Sequence, residues 1–119
     1  MKIAITSQGT TSDSPVDTRF GRANYFLVYD NDTDTWESIN NEQNMQAPQG
    51  AGIQSATIVA NTACQVLITG HCGPKAFRTL RAAGIDAYTT QAATVAQALE
   101  AFQQGALSKL ENADVEGHW

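Results

Sequence analysis

The sequence predicts an α/β fold, a mixed five-stranded sheet with flanking helices in the order βββαβαβα. Three observations carry that reading. Three short strand-like segments open the chain, separated by polar turns. A continuous apolar run, QVLIT at 65–69, then lies between two helical patterns, as a strand covered on both faces does. The last two helical patterns each stop at a glycine, Gly84 and Gly105, suited to a left-handed cap.

Taken in order, KIAIT at 2–6 is a short buried strand. Residues 7–22 are polar and contain Gly9, Pro15 and Gly21. Loops of this length in a small domain are commonly functional. With few apolar anchors beyond Val16 and Phe20, this one is expected to stay mobile until a ligand orders it. YFLVYD, 25–30, is the second strand, and NDTD is a turn in which Asn and Asp take local hydrogen bonds. TWESIN, 35–40, pairs back as a hairpin, with Trp36 and Ser38 on one face and Glu37 and Ile39 on the other. A second polar loop, 41–50, ends in Pro48-Gln49-Gly50. Residues 52–63 place Ile53, Ala56, Val59 or Ala60, and Ala63 at helical spacing.

Pro74 suits the first turn of the next helix, where its missing amide costs nothing. That helix runs to about Ala83 with Ala76, Phe77 and Leu80 inward. IDAYT, 85–89, is the fifth strand. Thr94 and Gln97 form a capping box for a helix with Val95, Ala98, Leu99 and Phe102 on its buried stripe. From about Leu107 onward no period is visible, and the chain reads as a fraying tail.

The 119 residues suit one domain large enough to need no disulfide or metal staple. Two cysteines, Cys64 and Cys72, make no disulfide framework, so a reducing, cytoplasmic location is the default. No apolar run approaches a membrane span. A net charge of −5 argues against duplex nucleic acid as a partner. Of seven Lys and Arg residues, five fall in two short glycine-containing segments: Arg19 and Arg22, then Lys75, Arg78 and Arg81. Ligands of open α/β sheets gather beyond the carboxyl ends of the parallel strands. The loops after the first and fourth strands, 7–22 and Gly70–Pro74, open there and hold these cations.

The turn Gly70-His71-Cys72-Gly73 leads straight into a helix. A helix N-terminus has unpartnered amides and about half a positive charge, so it receives anions. Lys75 and Arg78 would flank such a ligand, although Gly70 and Gly73 also read as residues that merely allow the turn. As a structural zinc site His71 and Cys72 are too few, since four ligands are needed. They could still touch a ligand whose metals carry their own sulfurs. Cys72 as a nucleophile would gain from the helix terminus but lacks an oriented base. Asp17 is placed to orient an arginine or to pair with Arg19 and close the loop, leaving Arg22 for binding. The spacing of a Walker loop is absent. The strand ends carry Ser7 and Thr69, with no carboxylate cluster for a two-metal nuclease.

SPVDTRFGRANYFLVYD and GAGIQSATIVANTACQVLITGHCGPKAFRTLRAAGID carry the patterns D-x-R-F-G-R-A and G-x-x-G-P-x-A-F. Over residues 1–105 the chain thereby resembles the dinitrogenase iron–molybdenum cofactor-binding family. The resemblance implies a ribonuclease-H-like fold and noncovalent handling of an anionic metal–sulfur cluster, with no catalysis. The GHCGPKAF version is most similar to the orange proteins of this family, which implies a mixed molybdenum–copper sulfide cluster or another molybdenum- or iron-containing one. On this reading residues 1–105 are a single cluster-binding domain and 106–119 a flexible C-terminal tail. Arg19, Arg22, Gly70, His71, Cys72, Gly73 and Lys75 form the cluster site, with His71 and Cys72 as the residues that touch metal. A protein partner for cluster delivery goes with a carrier role. The alternatives are a thiol or redox enzyme using Cys72 and a small phosphoanion-binding module.

Overall fold

The computed structural model describes residues 1–45 and 50–112. Within them the strands are β1 (Lys2–Ser7), β2 (Tyr25–Asp30), β3 (Thr35–Asn40), β4 (Val66–Thr69), β5 (Asp86–Thr89) and β6 (Ser108–Lys109). The helices are a single turn α1 (Glu42–Met45), then α2 (Ala51–Ala60), α3 (Pro74–Ala82) and α4 (Val95–Gln103). One mixed sheet has the order β3-β2-β1-β4-β5-β6. β1, β4 and β5 are parallel neighbours, while β2, β3 and β6 run antiparallel to the strands beside them.

The central strands alternate between two cores. Ala4, Phe26, Val28 and Leu67 face Ala56 and Val59 of α2 and Ala76 and Leu80 of α3. Ile3, Ile5, Leu27 and Ile68 face Val95, Ala98 and Leu99 of α4. The β4–α3 connection therefore passes over one face and the β5–α4 connection over the other. That division opens a crevice between the two loops at the carboxyl edge. Gly84 and Gly105 adopt φ of 77° and 73°, and Thr94 and Gln97 form the capping box, as their residue types require.

The sheet has six strands, not five. The segment read as a fraying tail begins with β6, which pairs Ser108 with Thr89 and Lys109 with Tyr88. Leu110 N–H donates to Ala87 O at 2.8 Å. Leu107 and Leu110 pack against opposite cores. A two-residue strand has no period to detect, so only its partner strand defines it. The rest of the expected tail, 113–119 with His118, and the loop residues 46–49 with Pro48 lie outside the described residues.

On α2 the buried residues are Ala51, Ser55, Ala56 and Val59, and Ile53 is 42% exposed. The helix is rotated from the apolar reading because its buried strip carries a serine held by hydrogen bonds. Among the described residues no helix is long and apolar enough to cross a membrane.

Candidate anion site at the carboxyl edge of the sheet

Parallel pairing of β1 with β4 brings their following loops together. Arg19 and His71 form a parallel bridge. His71 N–H donates to Thr18 O at 2.8 Å, and Phe20 N–H donates to His71 O at 3.2 Å. Beneath this ribbon the Thr6 hydroxyl donates to Asp17 O at 2.6 Å and lies 3.0 Å from the Thr69 hydroxyl. Gly70 has a packing reason: an added Cβ would stand 2.7 Å from Thr18 Cα and O.

Backbone hydrogen bonds tie the 7–22 loop to its neighbours. Gln8 N–H donates to Pro15 O at 3.0 Å, Asp17 N–H to Thr6 O at 3.0 Å and Val95 N–H to Ser14 O at 3.0 Å. Val16 and Phe20 are both buried. Two apolar anchors suffice here because the loop backbone bonds to β1, α4 and the β4 loop. The loop forms one packed wall of the site.

Behind that wall two helix N-termini meet. α3 starts at Gly73 and α2 at Gly50, and neither has a side-chain cap. An ideal Cβ on Gly52 would approach Ala76 Cβ to 3.1 Å, and one on Gly21 would approach Gly52 Cα and N to 3.0 Å. The turn Phe20–Arg22 and the first turns of α2 and α3 are thus packed backbone against backbone. Their uncapped amides and both helix dipoles favour negative charge. The α2 terminus was missed in the sequence. Its signal, Gly50-Ala51-Gly52 ahead of a helical pattern, is a run of small residues that also suits plain packing.

Arg22 belongs to this corner. Its Nη1 donates to Asn44 O at 3.2 Å. Asn44 Nδ2 donates to Asn41 Oδ1 at 2.8 Å, and Asn41 Nδ2 donates to Ala23 O at 2.9 Å and Ser55 Oγ at 3.1 Å. Ser55 Oγ donates to Gly21 O at 3.1 Å. This buried network fixes the turn carrying Arg22 against α2. Arg19 lies 3.8 Å from Asp17 Oδ1 and its side chain is 46% exposed, so it closes the loop while keeping a face to solvent. Lys75 and Arg78 are exposed on α3. Arg81 is engaged elsewhere, donating to Glu111 O at 3.1 Å and lying over the Phe77 ring.

His71 and Cys72 point apart. Cys72 is 0% exposed and joins the core with Phe20, Ala76 and Leu80. His71 is exposed and lines the crevice beside Thr18 and Gly70. Adjacent residues of an extended segment face opposite ways, so the geometry does not present the Cys72 thiol to a surface ligand. Cys64 sits before β4, at the far end of the sheet, and burial pushes its thiol pKa up. Among the described residues no group of three or more His, Cys, Asp and Glu side chains converges to hold a metal ion.

Residues 1–105 match the family model described as dinitrogenase iron-molybdenum cofactor. The apo orange protein from Desulfovibrio gigas is 38% identical, with a TM-score of 0.92 covering 96% of each chain. A protein from Thermotoga described as NifB-like is 34% identical, with a TM-score of 0.86 covering 98% of each chain. Among curated proteins, MJ0580 from Methanocaldococcus jannaschii is 27% identical over 114 residues, 93% of this chain and 92% of that one.

Proposed function

The chain belongs to the dinitrogenase iron-molybdenum cofactor family, and from that premise we propose that it binds and carries an anionic metal–sulfur cluster without catalysing a reaction. The observation that supports this most is the meeting of two uncapped helix N-termini beside Arg22. Cluster sulfides are acceptors only. The first-turn amides of α2 and α3, the Arg22 and Arg19 guanidiniums and the Lys75 ammonium are donors only, so the two sets are complementary. Pro74 has no amide to give, which leaves Lys75 and Ala76 as the amides of the first turn of α3. Gly70 and Gly73 let the backbone approach. Contact of His71 with the cluster edge stays part of the proposal. Cys72 acts through packing, because its side chain lies in the core.

The likeness to the orange protein favours a molybdenum–copper sulfide cluster as the cargo. A carrier implies a second protein that supplies or receives it, in a reducing, cytoplasmic setting. The test is anaerobic incubation of the protein with tetrathiomolybdate and copper, then desalting. A coloured protein with stoichiometric molybdenum and copper is expected. A colourless product without retained metal overturns the reading. Tight binding of ATP or inorganic phosphate would instead favour the phosphoanion module, and only millimolar binding is expected.

A further inference from the structure

The two outer strands of the sheet are built differently. β6 is two residues long and carries Lys109, and a short strand with a charge blunts an edge. β3 is six residues long, pairs with β2 without a bulge and contains no proline. Among the described residues β2 is its only neighbour in the sheet. In an antiparallel strand every second residue directs its N–H and C=O away from the partner. The outer side of β3 therefore presents a row of donors and acceptors suited to another strand. Its side chains are exposed except for Ile39, which is half-buried.

Charge narrows the occupant. Between Ala23 and Pro74 the sequence has no Lys or Arg, and its acids are Asp30, Asp32, Asp34, Glu37 and Glu42, in or beside the β2–β3 hairpin. The Met1 amine meets Asp32 at 2.9 Å and Lys2 lies near Glu37, which leaves the acids in excess. A second copy would bring the same acids to the same edge, and like charges across a strand pair are destabilising. A basic strand meets opposite charge instead. The two faces of β3 set the pattern of its side chains. Glu37 and Ile39 pair with Val28 and Phe26, on the α2 face. A groove of about 430 Å³ there is lined by both, with Lys2, Ile58, Asn61 and Thr62. That face suits a cation across from Glu37 and an apolar side chain across from Ile39. On the other face exposed Trp36 is braced by the Tyr29 ring, 4.9 Å away between centroids, and offers surface to a guanidinium.

We propose that β3 is a docking edge for an extended basic segment of a partner protein, which adds to the sheet as a further antiparallel strand. Register sets Asn40 level with Tyr25 and Ser7, at the carboxyl edge that holds the cluster corner. A partner docked here thus reaches the side from which cargo would pass. Only that last role rests on the carrier reading, and strand addition is tested on protein without cluster. The peptide Ac-TVTKRTK-NH2 is titrated into ¹⁵N-labelled protein at low salt. Saturable shifts centred on Thr35–Asn40, with alternate β3 amides slowed in hydrogen exchange, are expected. Glu37→Lys, at an exposed position, should weaken this binding about tenfold and let the acidic peptide Ac-TVTETTE-NH2 bind instead. The basic peptide with every amide N-methylated keeps its charges but loses its donors, and it should not bind. Equal binding of that peptide would reduce the contact to surface electrostatics and overturn strand addition. No saturable shift at millimolar peptide, or shifts centred away from β3, would overturn it as well. Shifts in β3 that follow protein concentration without peptide would make a second copy the occupant, against the proposal.

Discussion

A methyl group added at Gly70 would collide with the Thr18 backbone at 2.7 Å. The loops after β1 and β4 meet through that contact, so Gly70→Ala should destabilise the fold by about 1–3 kcal/mol, as overpacking does. Its urea midpoint should fall while Gly73→Ala, at an ordinary φ of −75°, moves it far less. The cysteines make a second expectation at this scale. Cys72 is fully buried and Cys64 is buried with a raised thiol pKa. Both should react with iodoacetamide much more slowly than free cysteine, and quickly once urea unfolds the chain. Fast native-state labelling of Cys72 would show that its thiol is not in the core. Tyr29 gives a pH signature. Its hydroxyl donates to Asp34 at 2.7 Å, and that bond, more than burial, raises the phenol pKa above 10.0. A raised pKa means stability present below the unfolded value and lost as pH climbs through the folded one. The advantage of the wild type over Tyr29→Phe should therefore shrink above pH 10.0, measured by urea unfolding across alkaline pH.

Helix ends carry the next set of consequences. Thr94 caps α4 with both halves of a capping box, so Thr94→Ala should cost about 1 kcal/mol in unfolding free energy. α3 shows the opposite choice, a glycine where a capping side chain would stabilise more. Gly73→Asp should raise stability by a few tenths of a kcal/mol, because aspartate fills the amides that glycine leaves open. The same carboxylate would occupy the proposed anion seat, so cluster retention after desalting should drop at least tenfold even as the midpoint rises. A variant that gained stability and kept its cluster would move the seat away from α3. Arg22→Ala removes a charged donor from the same corner. It should weaken retention about tenfold or more at low salt and less at high salt, since at high salt screening has already eroded the Arg22 contribution that the variant lacks. At the open edge of the sheet, Glu37 stands mid-strand on exposed β3, with Asp30, Asp32 and Asp34 around the preceding turn. Charge at that position discourages edge-to-edge pairing.

Across the whole molecule the sheet closes only with β6. Truncation after Gly105 would expose the β5 edge and remove the half-buried Leu107 and Leu110, together with the Lys109–Asp86 ion pair at 3.3 Å. A loss of roughly 2 kcal/mol follows from the apolar burial alone. A tail that frays would cost nothing, so one urea titration separates the two. The sequence by itself determined the elements whose signal is local: the continuous apolar run of β4, Pro74 at the start of α3, the capping box of α4 and the glycines that end α3 and α4. It also placed the cationic loops together, because parallel strands send their following loops to one edge. Tertiary structure decided what depends on a distant partner. β6 exists only through its pairing with β5. The buried face of α2 turns on Ser55 bonding to Gly21, 34 residues earlier. Cys72 turns inward and His71 outward because Thr18 and Phe20 fix the strand between them by two backbone hydrogen bonds. The second helix terminus at the anion corner arises from close packing at Gly21 and Gly52, where an added Cβ would stand 3.0–3.1 Å from segments far apart in the chain. Periodicity and caps act within one or two turns of backbone, whereas orientation and contact at this site are set by packing across the sheet.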